Sequence, residues 1–359
     1  MKRIVKLATS AAIATILLAG TALADGWTFD VMARDGIRKS AMEPLNGTQK
    51  PYKALEKSEV SKKWNLCLLV PHTTNDVLRA YIWGSVDEAR RLGASLTTFD
   101  AGGYANVDKQ LAQFDDCVAL GSNAIMVMAV SPTAFGEKIK EARAKGIKVV
   151  DLNVGLDAEV DGRVVVTFLS VGEVIGKKLA ADHPKGSGTA SVVIMPGPAG
   201  VAWSEDTATG IKNVTAESDV KIEKVVYGSP ATTDQIPLVE DALTTYPDLK
   251  YIVGMGSSVE AALSILRDQG RTGKVKLFGD WLTPEVIKGL KEKTVEGVVL
   301  ENSVMVNRIA LDMAVRLLEN KATLTDVVPV LTVVDGTNVD QAPATNFAPD
   351  GWKIEMKVE

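Results

Sequence analysis

Asn65-Leu66-Cys67-Leu68-Leu69-Val70-Pro71-His72-Thr73-Thr74-Asn75-Asp76 is a short apolar run that stops abruptly in a polar loop, and an amphipathic stretch follows it to Leu92. Five consecutive apolar residues without alternation read as a strand buried on both faces of a parallel sheet. Asn75 or Asp76 is suited to cap the next helix, because a short side-chain oxygen accepts the free N–H groups of a first turn. In open parallel sheets, ligands sit beyond the carboxyl ends of the strands. The loop from His72 to Asp76, with Asn75 and Asp76 in it, is therefore the first candidate pocket wall.

The same strand–loop–helix theme recurs along the 359 residues, a length suited to about two domains. Strands are expected at 65–70, 95–100, 124–130, 148–153 and 164–169, with helices at 76–92, 108–120 and 132–145 between them. The pattern then restarts with helix 171–181, strand 190–195, helix 204–217, strand 221–227, helix 234–245, strand 251–254, helix 258–269, strand 275–279, helix 284–292, strand 297–301, helix 306–320 and strand 329–334. Such alternation builds α/β architecture with helices on both faces of a parallel sheet. Two doubly wound lobes are expected. The second half carries surplus units, so the chain is expected to cross back: 64–166 plus 298–325 form the first lobe, and 167–297 plus 326–345 the second. Residues 25–63 read as an extended arm and 346–359 as a C-terminal tail with one further strand candidate at 352–357.

Residues 1–24 read as a targeting segment. Lys2, Arg3 and Lys6 precede a short apolar stretch, and Ala22-Leu23-Ala24 fits cleavage after Ala24. The expected compartment is the periplasm, with no membrane insertion once the leader is removed. A net charge of −5 without runs of like charge excludes a nucleic-acid patch. Two cysteines, Cys67 and Cys117, are either one bridge or two buried thiols in an oxidising compartment.

Chemistry is poorly represented. The chain has two histidines, His72 and His183. It shows no metal-ligand spacing, nucleophile elbow or P-loop. Pro196-Gly197-Pro198-Ala199-Gly200 lacks the Lys-Ser/Thr of a phosphate cradle and reads as a strand-to-helix turn. Neither an enzyme nor a metal or cofactor is expected. Aromatic residues fall at strand ends instead, namely Tyr104, Phe168, Trp203 and Trp281, where flat rings line clefts at little entropic cost. Asp280, Asp76, Arg79, Asn153 and Gln235 are polar cleft candidates beside them.

Several segments resemble one family: Leu66-Cys67-Leu68-Leu69-Val70-Pro71, Glu88-Ala89-Arg90-Arg91-Leu92-Gly93, Ala101-Gly102-Gly103-Tyr104, Asp115-Asp116-Cys117, Met195-Pro196-Gly197-Pro198 and Ala348-Pro349-Asp350-Gly351-Trp352. The chain is similar to the type I periplasmic-binding-protein fold. More narrowly it resembles the TorT family, periplasmic partners of TorS-type sensor histidine kinases in trimethylamine N-oxide respiration. The resemblance implies two lobes joined by three crossovers, a small ligand in the cleft, docking onto the periplasmic domain of a membrane sensor kinase, and no chemistry on the ligand.

The family holds trimethylamine N-oxide in an aromatic cage, a device suited to methylated nitrogen. Its Tyr-Trp pair at the start of the first helix falls on Val77 and Leu78, its Trp after the fifth strand on Phe168, and a later Tyr on Trp281. About half the cage is thus replaced. The expectation is weakened binding of trimethylamine N-oxide or a shift to another small ligand, with Arg79 suiting an anion if it faces the cleft. A solute-binding protein feeding an ABC importer is the alternative.

Overall fold

The computed structural model describes residues 26–359 except Pro44. The expected leader and its cleavage point lie outside the described residues. The strands, in chain order, are β1 Thr28–Ala33, β2 Thr48–Lys53, β3 Asn65–Val70, β4 Ser95–Asp100, β5 Ala124–Val127, β6 Lys148–Asn153, β7 Gly162–Val165, β8 Ala190–Met195, β9 Val220–Val225, β10 Tyr251–Gly254, β11 Lys276–Gly279, β12 Gly297–Leu300, β13 Asp326–Pro329, β14 Thr332–Val334 and β15 Lys357–Val358.

They form two sheets, of order β15-β4-β3-β5-β6-β7-β13-β1-β2 and β14-β12-β11-β10-β8-β9. The run from β4 through β13 is parallel, and β15, β1 and β2 add antiparallel edges. The second sheet is parallel except for β14. Apolar runs such as Leu66–Val70 and Val192–Met195 are fully buried, as helices on both faces require. The chain passes between lobes after β7, after β12 and after β13. The tail makes a further passage, returning from the second lobe to lay β15 on β4.

Several expected boundaries move: the strand expected at 124–130 ends at Val127, and that expected at 164–169 is Gly162–Val165, with Phe168 already opening a helix. The strand expected at 297–301 ends at Leu300 and stays in the second lobe, because β12 pairs with β11 through Phe278 and Gly297. The return to the first lobe therefore falls at Glu301 and Asn302 rather than before Val298. Asn302 takes φ 58°, and its side-chain amide donates to the Val330 carbonyl at 3.2 Å, so two crossovers are laced together. The strand expected at 329–334 is split: β13 belongs to the first sheet and β14 to the second. Asp326 anchors β13, accepting from Arg38 Nε at 2.9 Å and Arg38 Nη2 at 2.8 Å. At the other end, β15 is only Lys357–Val358, so a single residue of the strand expected at 352–357 is in it.

The arm is not a loose extension. Trp27, Val31, Tyr52 and Leu55 bury apolar surface, so residues 28–53 pair as an antiparallel hairpin on the first sheet. Asp312, on helix Ser303–Leu318, accepts from Tyr52 Oη at 2.8 Å and from the Leu55 amide at 2.7 Å. Cys67 in β3 is joined to Cys117 on helix Val107–Ala119, with Cα atoms 5.9 Å apart.

Candidate ligand-binding site

Both sheets point their carboxyl ends at one pocket between the lobes. The loop after β3 and the helix Asp76–Leu92 contribute His72, Asn75, Val77, Leu78 and Tyr81. Tyr104 follows β4, Met128 follows β5, and Asn153 ends β6. From the other side come Phe168 and Trp203 at the starts of helices Phe168–Asp182 and Ala202–Thr215, with Pro230, Trp281 and Glu301. The pocket, partly open to solvent, has a volume of ≈ 40 Å³.

Local sequence explains the placement. Asn75 caps its helix by accepting the Leu78 amide at 2.9 Å, which fixes where the first turn begins. Val77, Leu78 and Tyr81 then share a face, since residues three and four apart are neighbours on a helix. Trp203 sits centrally, with ring centroids 6.0 Å from Phe168, 6.4 Å from Trp281 and 6.5 Å from Tyr104. His72 packs its edge on Tyr104 at 5.6 Å.

The polar floor is acidic. Glu301 is 7% exposed and lies 3.5 Å from both Asn153 Nδ2 and Ser303 Oγ. Burial pushes its carboxyl up to about 7, against the hydrogen bonds from Tyr81, Asn153 and Ser303. Asn153 also donates to the Tyr81 hydroxyl. Asp280, beside Trp281, is pushed up to about 8 by burial and by the charge of Glu301. Burial lowers the His72 imidazole, opposed by Asp100. No Lys or Arg lines the pocket among the described residues.

Of the residues singled out from sequence, Asn75, Val77, Leu78, Tyr104, Asn153, Phe168, Trp203 and Trp281 come together there. Four do not line it. Arg79 turns away along its helix, donating to the Trp352 carbonyl and lying 5.9 Å from the Trp352 ring, so the tail occupies its guanidinium. Asp76 is exposed in the first helical turn, where its charge suits the dipole. Gln235 is a buried brace, donating to the Ser229 carbonyl at 2.6 Å and accepting from Ser258 Oγ at 2.8 Å. Asp280 lies behind the lining.

The structure also adds Tyr81, Met128, Pro230 and Glu301, and gives His72 a place in the wall. Tyr81 was legible one turn beyond Val77 and Leu78. Glu301 was legible as an acid ending the apolar run of β12, just as Asp280 ends that of β11. Five rings line the pocket, from Tyr81, Tyr104, Phe168, Trp203 and Trp281, beside the aliphatic Val77 and Leu78.

A family model described as periplasmic binding protein domain matches residues 66–322. The chain is 28% identical over 300 residues to periplasmic protein TorT of Escherichia coli K12, covering 82% of this chain and 85% of that protein. A crystal structure of an ABC transporter solute binding protein from Bradyrhizobium sp. BTAi1 with bound bis-tris superposes with a TM-score of 0.80 at 33% identity, covering 91% of this chain and 98% of that one. The TorS sensor domain–TorT complex without ligand matches with a TM-score of 0.76 at 25% identity, over 82% of this chain and 99% of that chain.

Proposed function

We propose, because this chain belongs to the periplasmic binding protein domain family and is TorT-like within it, that it is a periplasmic ligand-binding sensor without catalytic activity. Its ligand is a small methylated nitrogen compound, of which trimethylamine N-oxide and methylated ammonium ions are the two kinds to compare. The observation that carries this is the interlobe pocket, lined by five aromatic rings together with the buried Glu301. Ring faces attract methylated nitrogen. Its volume of ≈ 40 Å³, room for about three or four waters at about 10–15 Å³ each, suits a very small solute more closely than a sugar.

Ligand bridges the lobes. Tyr81 and Tyr104 belong to one side and Trp203 and Trp281 to the other, so contact with all four requires closure. A ligand shifts the open–closed equilibrium only by its differential affinity for the two states. Closure then presents an altered lobe surface to the periplasmic domain of a membrane sensor kinase of the TorS type, as the TorT–TorS complex supports. Among the described residues no helix is long and apolar enough to cross a membrane.

A second reading, delivery of the ligand to an ABC importer, is favoured by the 33% identity to a solute binding protein across 91% of the chain. One strain separates the two. Deleting the gene and measuring ligand-dependent kinase output and uptake of labelled trimethylamine N-oxide side by side gives loss of the first under the sensor reading. Loss of uptake with intact kinase output would replace it with the importer reading.

A further inference from the structure

We infer that the pocket takes a small alkylammonium cation, with Glu301 as its ion-pair partner and the aromatic rings closing over its methyl groups. This rests on the reading that the interlobe pocket is the ligand site, and it adds the ligand's charge to that reading.

The argument begins with what faces Glu301. Tyr81, Tyr104 and His72 share its pocket, Asn153 and Ser303 touch its carboxyl, and Asp280 lies close enough to feel its charge. Every titratable group in that set is acidic or, like His72, disfavoured as a cation by burial. Asp280 is 7% exposed, and its Oδ1 has no hydrogen-bond partner among the described residues. A buried carboxylate needs a paired cation or a proton. Elsewhere this protein supplies the cation: Asp326 has Arg38 and Asp151 has Arg163. At Glu301 the described residues supply none, and ring faces, which carry negative quadrupole charge, line the same pocket. An anion would meet repulsion from every side. An uncharged polyol would bury hydroxyls against rings that cannot pair them.

The binding step is a proton exchange. The protonated Glu301 carboxyl releases its proton to bulk water, and the resulting carboxylate pairs with the incoming ammonium. With Glu301 held up to about 7 by burial, affinity for a permanent cation falls about tenfold per unit below pH 7 and levels above it. An N-oxide behaves oppositely, because its oxygen is an acceptor and needs the proton kept on the carboxyl.

The test is calorimetric titration of the chain, purified from a periplasmic extract, with tetramethylammonium, trimethylamine N-oxide and tert-butanol between pH 5.5 and 8.5. Tetramethylammonium is expected to bind tightest at pH 8, to weaken about fivefold from pH 7 to 6, and below pH 7 to release a proton detectable as buffer-dependent heat. Glu301→Gln is expected to weaken it by about 30-fold or more and to flatten the pH profile while leaving tert-butanol unchanged. Glu301→Asp should restore part of both. A cation affinity that ignores pH, or that survives Glu301→Gln, overturns the inference. So does tighter binding of the N-oxide that strengthens as pH falls, which would leave the pocket reading standing. Failure of all three probes at every pH would overturn both.

Discussion

Gly84 on helix Asp76–Leu92 lies so close to Val304 on helix Ser303–Leu318 that a Cβ placed on it would sit 2.3 Å from the Val304 carbonyl oxygen. The two helices therefore pack backbone to backbone. That contact holds together the helix bearing Tyr81 and the crossover bearing Glu301. Gly84→Ala should force them apart and cost about 1–3 kcal/mol, the usual range for overpacking. Urea unfolding monitored by far-UV circular dichroism measures it, and an unchanged midpoint would mean that the helices separate freely.

The Cys67–Cys117 bridge spans a sequence separation of 50. Closing a loop of that size should stabilise by about 4 kcal/mol through the unfolded chain. A Cys67→Ala/Cys117→Ala protein should unfold at markedly lower urea, and reductant should shift the parent protein's transition toward it.

Trp203 and Trp281 are wall rings of the pocket. Replacing either with Leu keeps an apolar side chain but removes the ring face. Ligand affinity should fall about 2- to 30-fold for each, following 0.5–2 kcal/mol per ring contact. Intrinsic fluorescence titration reads both the affinity and the loss of the indole.

Arg79, a cleft candidate only if its side chain turned inward, binds the tail at Trp352. Arg79→Ala should leave ligand affinity unchanged while speeding hydrogen exchange at β15. A large affinity loss would return Arg79 to the ligand site.

Stability should depend on pH in an unusual direction. Glu88, Glu301 and Asp280 have carboxyls held up to about 7, about 7 and about 8 in the fold, chiefly by burial. The folded state therefore binds more protons than the unfolded state between roughly pH 4 and 8. Their stabilising contribution is complete below the ordinary carboxylate range and is lost as pH rises through 7 to 8. Without ligand, the melting temperature should drop from pH 5.5 to 8, and Glu301→Gln should shallow that slope. A melting temperature that climbs across this window would contradict the burial of these acids.

Much of the fold can be read from the chain alone because its signals are local. Parallel strands buried on both faces are largely apolar runs, so the bounds of β3, β6, β8 and β10 follow directly from composition, while β4 is legible from its alternation. A polar residue at a strand's end marks a helix start, and Asn75 does cap the helix beginning at Asp76. Strand-end aromatics mark the cleft for the same reason, since topology puts every such end on one side.

What tertiary structure alone decided are the non-local choices. Whether the segments at 297–300, 326–329 and 332–334 join the first or second sheet depends on partners far away in sequence, including Phe278 and Arg38. No periodicity within three or four residues can specify that. The same holds for side-chain direction at the site. Arg79 and Tyr81 stand two residues apart on one helix, and only the tail packing on one face and the second lobe closing on the other sends the arginine outward and the tyrosine to Glu301.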